Sequence, residues 1–339
     1  MTAGSVFKLY ANCIPVKGAR RSIICDLQTS RAQLIPNDCF TILTEFEGAT
    51  LDEIKAHYDN EQDATIDEYF DLLLKQDYGF ICDEPDRFPR LNLEWDRPEP
   101  ITNAIVDIDR TSRHDFANIF FQLDEAGCQA LQVRDYDGLS FAEVESILEA
   151  TRHLRFRHVD LVIKYRPEFT EEALTELGIR YQVISRILVH SSPAQSRAKT
   201  DKMSFAIRFF TGVVTPASCG EVAPGYFSPN LEHFTEALHF NTCLNRKISI
   251  SVDGHIKACP AMDHSCGRMG EVSLRAAVRD PVLVQLGAIT KDQVSVCRDC
   301  EFRYICTDCR AFLSEPSNLY SKPAKCSYDP YTATWGQAS

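Results

Sequence analysis

Four cysteines in thirteen residues, CRDCEFRYICTDC over 297–309, constrain this chain more than any other feature. Cys297, Cys300, Cys306 and Cys309 form two C-x2-C pairs separated by five residues. A C-x2-C turn places two thiolates on one side of a tight loop, as a metal centre requires. Disulfides would need an oxidising compartment. The first residues, MTAGSVFKLYANC, show no charged start followed by an apolar run, so no signal peptide is read. No apolar run approaches the roughly 18–20 residues of a membrane span. A cytoplasmic protein without membrane association is expected, and there dense thiols point to metal ligation or redox chemistry.

The cysteines are unevenly placed. Five of the fourteen fall between residues 1 and 128, and nine between 219 and 326. Upstream of the dense group stands Cys243-x10-Gly254-x4-Cys259. KISISVDGHIKAC alternates around Asp253-Gly254 and reads as a β-hairpin, which would bring Cys243 near Cys259. Sixteen residues separate Cys309 from Cys326. Arg298, Asp299, Glu301, Arg303 and Asp308 lie between the thiols and argue against cysteines serving as plain buried hydrophobes. Zinc ribbons separate their two pairs by roughly 15–20 residues. Seven thiolates also overfill one tetrahedral site, whereas two [4Fe–4S] clusters need about eight. Iron–sulfur therefore leads, and zinc remains the competitor.

Residues 5–35 read as short strands: SVFKLY, RSIICDL and AQLIP. Helical spacing follows, with Thr50 and Glu53 as a capping box and Ile66, Tyr69, Phe70 and Leu73 on one face. YGFI at 78–81 reads as a returning strand. This order suggests a small winged-helix-like domain. Nucleic-acid binding is not expected: the net charge is −12, and residues 38–90 carry fifteen acidic and four basic side chains. Lys8, Lys17, Arg20, Arg21 and Arg31 cluster near the first strands. An exposed strand edge beside them could accept an extended acidic peptide. The alternative is a structural cap with a solvated acidic face.

After RPEPIT (97–102), a linker candidate, β and α signals alternate. Strands are read at 103–109, 130–135, 158–165, 184–190 and 203–210. Helices are read between them, with capping boxes at Ser112/Asp115 and Ser140/Glu143. Repeated β-α units imply a parallel sheet, open or closed into a partial barrel. Neither G-x-G-x-x-G nor G-x-x-x-x-G-K-[ST] occurs. Cys128 is read as a core residue, and His114 as a surface histidine in the first turn of a helix.

Residues 5–90 resemble the leader-peptide recognition element of maturases of ribosomally made peptides, by element order. The cysteine pattern resembles the SPASM domain, the auxiliary-cluster domain of many radical S-adenosylmethionine peptide maturases. One spacing departs: Cys306 and Cys309 are two residues apart rather than three. The resemblance implies that Cys297, Cys300, Cys306 and Cys326 hold one cluster. It implies that Cys243, Cys259 and Cys309 hold the other. Cys219 is the first candidate for the missing ligand and Cys266 the second; otherwise one iron stays open.

Across its length, through CLNRKISISVDGHIKACP, CRDCEFRYICTDCRAF and KPAKCSYDPYTATW, the chain resembles the SPASM-domain maturase of grasp-with-spasm systems. The implied partners are an ATP-grasp ligase and a precursor peptide. The implied fold class is α/β in three segments: a winged-helix-like domain (1–98), a degenerate radical-SAM-like partial barrel (99–235) and a SPASM domain (236–339). No C-x3-C-x2-C triple occurs, so S-adenosylmethionine cleavage is not expected. A leader-binding, peptide-presenting role is the first expectation. The alternatives are a redox or Lewis-acid iron–sulfur enzyme and a zinc-bearing interaction module.

Overall fold

The computed structural model describes residues 5–197 and 204–336. The chain starts with four short strands: β1 (Val6–Leu9), β2 (Cys13–Val16), β3 (Ser22–Asp26) and β4 (Arg31–Ile35). Helices α1 (Asn37–Glu45), α2 (Leu51–His57) and α3 (Asp63–Lys75) follow, then β5 (Gly79–Cys82). β2, β3 and β4 form an antiparallel meander, while β1 pairs with β5. The strand not anticipated was β2, which contains Pro15. It lies at a sheet edge, where a residue without an N–H is tolerated.

Thr50 caps α2 as expected. Its Oγ1 accepts from the Glu53 N–H at 3.2 Å, and the Glu53 carboxylate accepts from the Thr50 N–H at 2.8 Å. Ile66, Phe70 and Leu73 project from one face of α3 into a core shared with Phe7, Ile24 and Ile42. The basic cluster near the first strands is largely satisfied internally. Lys8 pairs with Glu47, Arg21 with Glu301 and Arg31 with Asp26. The Lys17 ammonium lies 5.9 Å from the Phe40 ring centroid.

The central segment supplies β6 (Asn103–Ile108), α4 (Phe116–Glu125), β7 (Ala130–Asp135), α5 (Phe141–Glu149), β8 (His158–Lys164), α6 (Glu171–Arg180) and β9 (Ile184–His190). β10 (Ser196–Arg197) and β11 (Ala206–Phe209) come next; Met203 of the expected strand lies outside the described residues. Parallel strands β6, β7, β8 and β9 stand side by side in chain order. Crossovers that all step in one direction and share the usual right hand place their helices on one face. Phe120, Leu148 and Leu174 of these helices are fully buried in one core with Val106, Val133 and Leu161.

α4 starts later than the Ser112/Asp115 pattern suggested. Asp115 itself caps it, accepting from the Asn118 N–H at 3.0 Å. Ser112 instead donates to the Val252 carbonyl at 2.8 Å. His114 precedes the helix, its Nε2 2.9 Å from the Asp107 carbonyl oxygen.

α7 (Leu231–His239) precedes the expected hairpin, β12 (Lys247–Ile250) and β13 (Ile256–Lys257), which turns through Gly254 at φ +84°. β12 also pairs in parallel with β6, Lys247 opposite Asn103. The hairpin thus extends the sheet to eight strands, ordered β10-β11-β9-β8-β7-β6-β12-β13. Helices α8 (Leu274–Ala277) and α9 (Pro281–Gly287) follow.

The chain groups into two compact units. One holds residues 1–96, 221–242 and 289–339, and the other 97–220 and 243–288. This grouping differs from three consecutive segments for a physical reason. The hairpin belongs to the sheet of β6, while Phe302, Ile305 and Tyr328 share a core with Val16, Ile23 and Cys25. No helix among the described residues is long and apolar enough to cross a membrane.

Gly178 in α6 tests this packing. A Cβ there would collide with the Phe205 ring. Gly178→Ala should cost about 1–3 kcal/mol by overpacking, despite gaining about 1 kcal/mol in helix propensity. A denaturant titration that finds the variant more stable would refute the packing of α6 on Phe205.

Candidate metal centres

Cys297 opens a short 3-10 turn, and the Cys300 N–H closes it by donating to the Cys297 carbonyl at 3.0 Å. The Cys306 N–H donates to the Phe302 carbonyl, and the Cys326 N–H to that of Pro323. The four thiols are linked electrostatically. Cys326 bears electrostatically on Cys297 and Cys306, and these two bear on Cys300. Burial pushes the Cys297 thiol up to about 11 and raises Cys300 and Cys306 as well. All three therefore hold their protons near neutral pH until something replaces them.

Beside them lies a cation that the sequence did not advertise. Lys291 is 5% exposed, its Nζ 3.5 Å from Cys306 Sγ and 3.1 Å from the Thr307 carbonyl. Burial alone would lower its pKa. Cys306, then Asp308 and Cys297, pull it the other way, so the net shift is upward and the ammonium persists. Asp308 lies 3.8 Å from Lys291 and 2.8 Å from Arg310, and accepts from Asn241 at 2.7 Å. A buried ammonium against Cys306 and within electrostatic reach of Cys297 suits anionic, metal-bound thiolates better than neutral thiols. The residues present therefore fit a [4Fe–4S] group in donor type, number and charge.

The charged residues between these thiols behave in two ways. Arg298 and Asp299 face solvent. Glu301 and Asp308 are buried, 1% and 2% exposed. Glu301 accepts from Arg21 Nε at 2.7 Å and from the Tyr328 hydroxyl. A charge between two cysteines therefore does not mark a surface loop here.

In the other unit, Cys219 and Cys259 share a hydrogen bond and Cys243 lies close enough to act on Cys259. The Cys219 contact first, and burial second, drive the Cys259 thiol pKa upward. Cys219 also bears on buried Arg134 of β7 and on Tyr136 just beyond that strand. Arg134 clasps Asp107 with two bonds of 2.7 and 2.8 Å, both residues being buried. Cys266 is elsewhere, beside Asp280. Cys309, 4% exposed, belongs to the first unit. Cys13, Cys25, Cys39 and Cys128 are buried thiols pushed up to about 12, chiefly by desolvation, and behave as inert core residues.

A hollow of about 420 Å³ opens beyond the carboxyl ends of β6 and β7, where ligands of parallel sheets gather. Asp109, Arg110, His114, Asp135 and Asp137 line it, without a cysteine.

No family model matches the chain, and no curated protein does. Among solved structures, the chain is similar to Streptococcus suis SuiB bound to S-adenosylmethionine. The TM-score is 0.37 and the identity 10%, covering 94% of this chain and 99% of that one. It is similar also to SuiB bound to precursor peptide SuiA, with a TM-score of 0.36 and 10% identity over 90% and 96% of the two chains. The behaviour of the thiol sites follows from their own charges. Lys291→Met should destabilise the protein by about 3–5 kcal/mol, because it breaks a buried ion pair and leaves Asp308 undercompensated. Denaturation of the metal-loaded protein checks this; an unchanged midpoint would mean that the buried ammonium does not stabilise the site.

Proposed function

We propose that this chain is an iron–sulfur peptide-maturation protein. In this reading it binds the leader of a ribosomally made precursor peptide and presents it to an ATP-grasp ligase. The observation carrying the iron–sulfur part is the buried Lys291 ammonium 3.5 Å from Cys306 and within electrostatic reach of Cys297, two thiols to which Cys300 and Cys326 are both electrostatically linked. These four would hold one [4Fe–4S] cluster. Cys243, Cys259 and Cys219 would hold the second, and the addition of Cys309 rests on the cysteine spacing. Bound clusters would supply anionic, electron-storing centres. Lys291 keeps its proton and compensates the sulfur charge, and the Phe302–Ile305 core excludes water. The proximity of Cys219 to Cys259 supports a full eight-thiolate set, and hence a structural rather than substrate-binding role for the clusters.

The peptide-binding part is supported by β4, an edge strand of the N-terminal meander. Arg31, Ala32 and Leu34 are exposed along it, so an extended segment can add to its outer side. The ligase partnership rests on the sequence resemblance alone. The absence of a C-x3-C-x2-C triple is the ground for assigning no cleavage of S-adenosylmethionine.

Iron, sulfide and zinc per chain after anaerobic purification test the cluster reading. About eight irons are expected, and Cys300→Ala should lose about half of them. Zinc without iron would overturn the iron–sulfur assignment and leave an interaction module. Leu34→Glu tests the edge strand. This side chain is 37% exposed, so stability should change by less than about 0.5 kcal/mol, while affinity for the precursor peptide should fall at least tenfold, roughly 1.4 kcal/mol. Undiminished binding would move the peptide site away from β4.

A further inference from the structure

Cys266 has partners of its own, distinct from the thiols discussed above. His264, Cys266 and Asp280 each offer one donor atom, and these atoms all lie within 4.8 Å of one another. Two separately anchored segments supply them. The Cys266 N–H donates to the Ile256 carbonyl at 2.8 Å, and the Ile256 N–H donates to that of Gly267 at 2.9 Å. His264 and Cys266 thereby ride on a short strand-like stretch against β13. Asp280 caps α9, its Oδ1 accepting from the Val282 N–H at 2.8 Å and the Leu283 N–H at 3.3 Å. His264 Nε2 stands 3.0 Å from that same oxygen. Packing of Cys266 against the sheet core fixes the sulfur side, while His264 stays open to solvent.

We propose that His264, Cys266 and Asp280 form a mononuclear binding site for a divalent cation of the zinc class, separate from the clusters. Imidazole, thiolate and carboxylate together select a borderline-soft ion that accepts nitrogen, sulfur and oxygen. Magnesium and calcium, which take oxygen ligands, are excluded by the same donor set. Three protein donors leave a fourth tetrahedral position to water. On binding, the Cys266 thiol releases its proton to solvent and the imidazole binds as the neutral ring. The ion would tie the start of α9 to the stretch along β13. This site accounts for Cys266 without making it a cluster ligand, and it stands or falls independently of the peptide-maturation reading.

The test uses the full chain with its native iron, loaded with zinc and then dialysed against buffer. Wild type should retain one zinc more than Asp280→Asn or His264→Ala, with iron per chain unchanged in both. Asn preserves the helix cap, so Asp280→Asn removes the ligand charge without unfolding α9. Each variant should weaken zinc binding by more than about 100-fold, the upper end of what outer-shell changes cost. Cys266→Ser should behave alike. Equal zinc retention in wild type and both variants would overturn the site. Loss of iron in Cys266→Ser would also overturn it, by making Cys266 a cluster ligand.

Discussion

A buried ammonium in contact with the Cys306 sulfur is the interaction around which the first unit is arranged. Lys291 is enclosed with Asp308 and Arg310, and none of these charges could be withdrawn from water alone. The cysteine turn that carries Cys297 and Cys300 also carries Glu301, which Arg21 and Tyr328 hold. Phe302 and Ile305 then join Val16, Ile23 and Cys25 in a single core. The N-terminal meander is therefore part of the wall around the thiols, and the thiols are part of what the meander packs against.

The second unit follows a different logic. Its sheet advances in one direction from β6 to β9, which sends α4, α5 and α6 to one face and leaves the other for polar groups. Asp107 and Arg134 pair there out of water, and Cys219 acts on Arg134 and its neighbour Tyr136. The loop beyond β6 carries Asp109, Arg110 and His114, so this end of the sheet offers carboxylates, a guanidinium and an imidazole.

Local signals were legible. Residues 130–135 and 184–190 are strands where alternation placed them, and Thr50 and Ser140 cap their helices through reciprocal bonds with Glu53 and Glu143. The start of α4 was misread because Ser112 and Asp115 satisfy the same pattern in two registers, and a tertiary bond to Val252 decided between them. Lys291 was invisible, since its partners follow fifteen and seventeen residues later with no periodic relation to it. The pairing of Asp107 with Arg134 was hidden for the same reason. The five basic residues near the first strands looked like a docking surface, yet Glu47, Glu301 and Asp26 already engage three of them. Charge clusters in one dimension do not reveal which members are neutralised in three.

The pairing of β12 with β6 also bears on the order of events during synthesis. Lys247 lies opposite Asn103, so this edge of the sheet waits for a segment made long after the strand it joins. The first unit waits longer still, since residues 289–339 complete the core begun by the N-terminal meander. A ribosome that has released the parallel strands has produced a sheet with an open flank and thiols not yet brought together. Completion of the thiol-bearing core is thereby confined to the closing stages of translation, and the open flank of β6 is the surface a chaperone would need to shield until then.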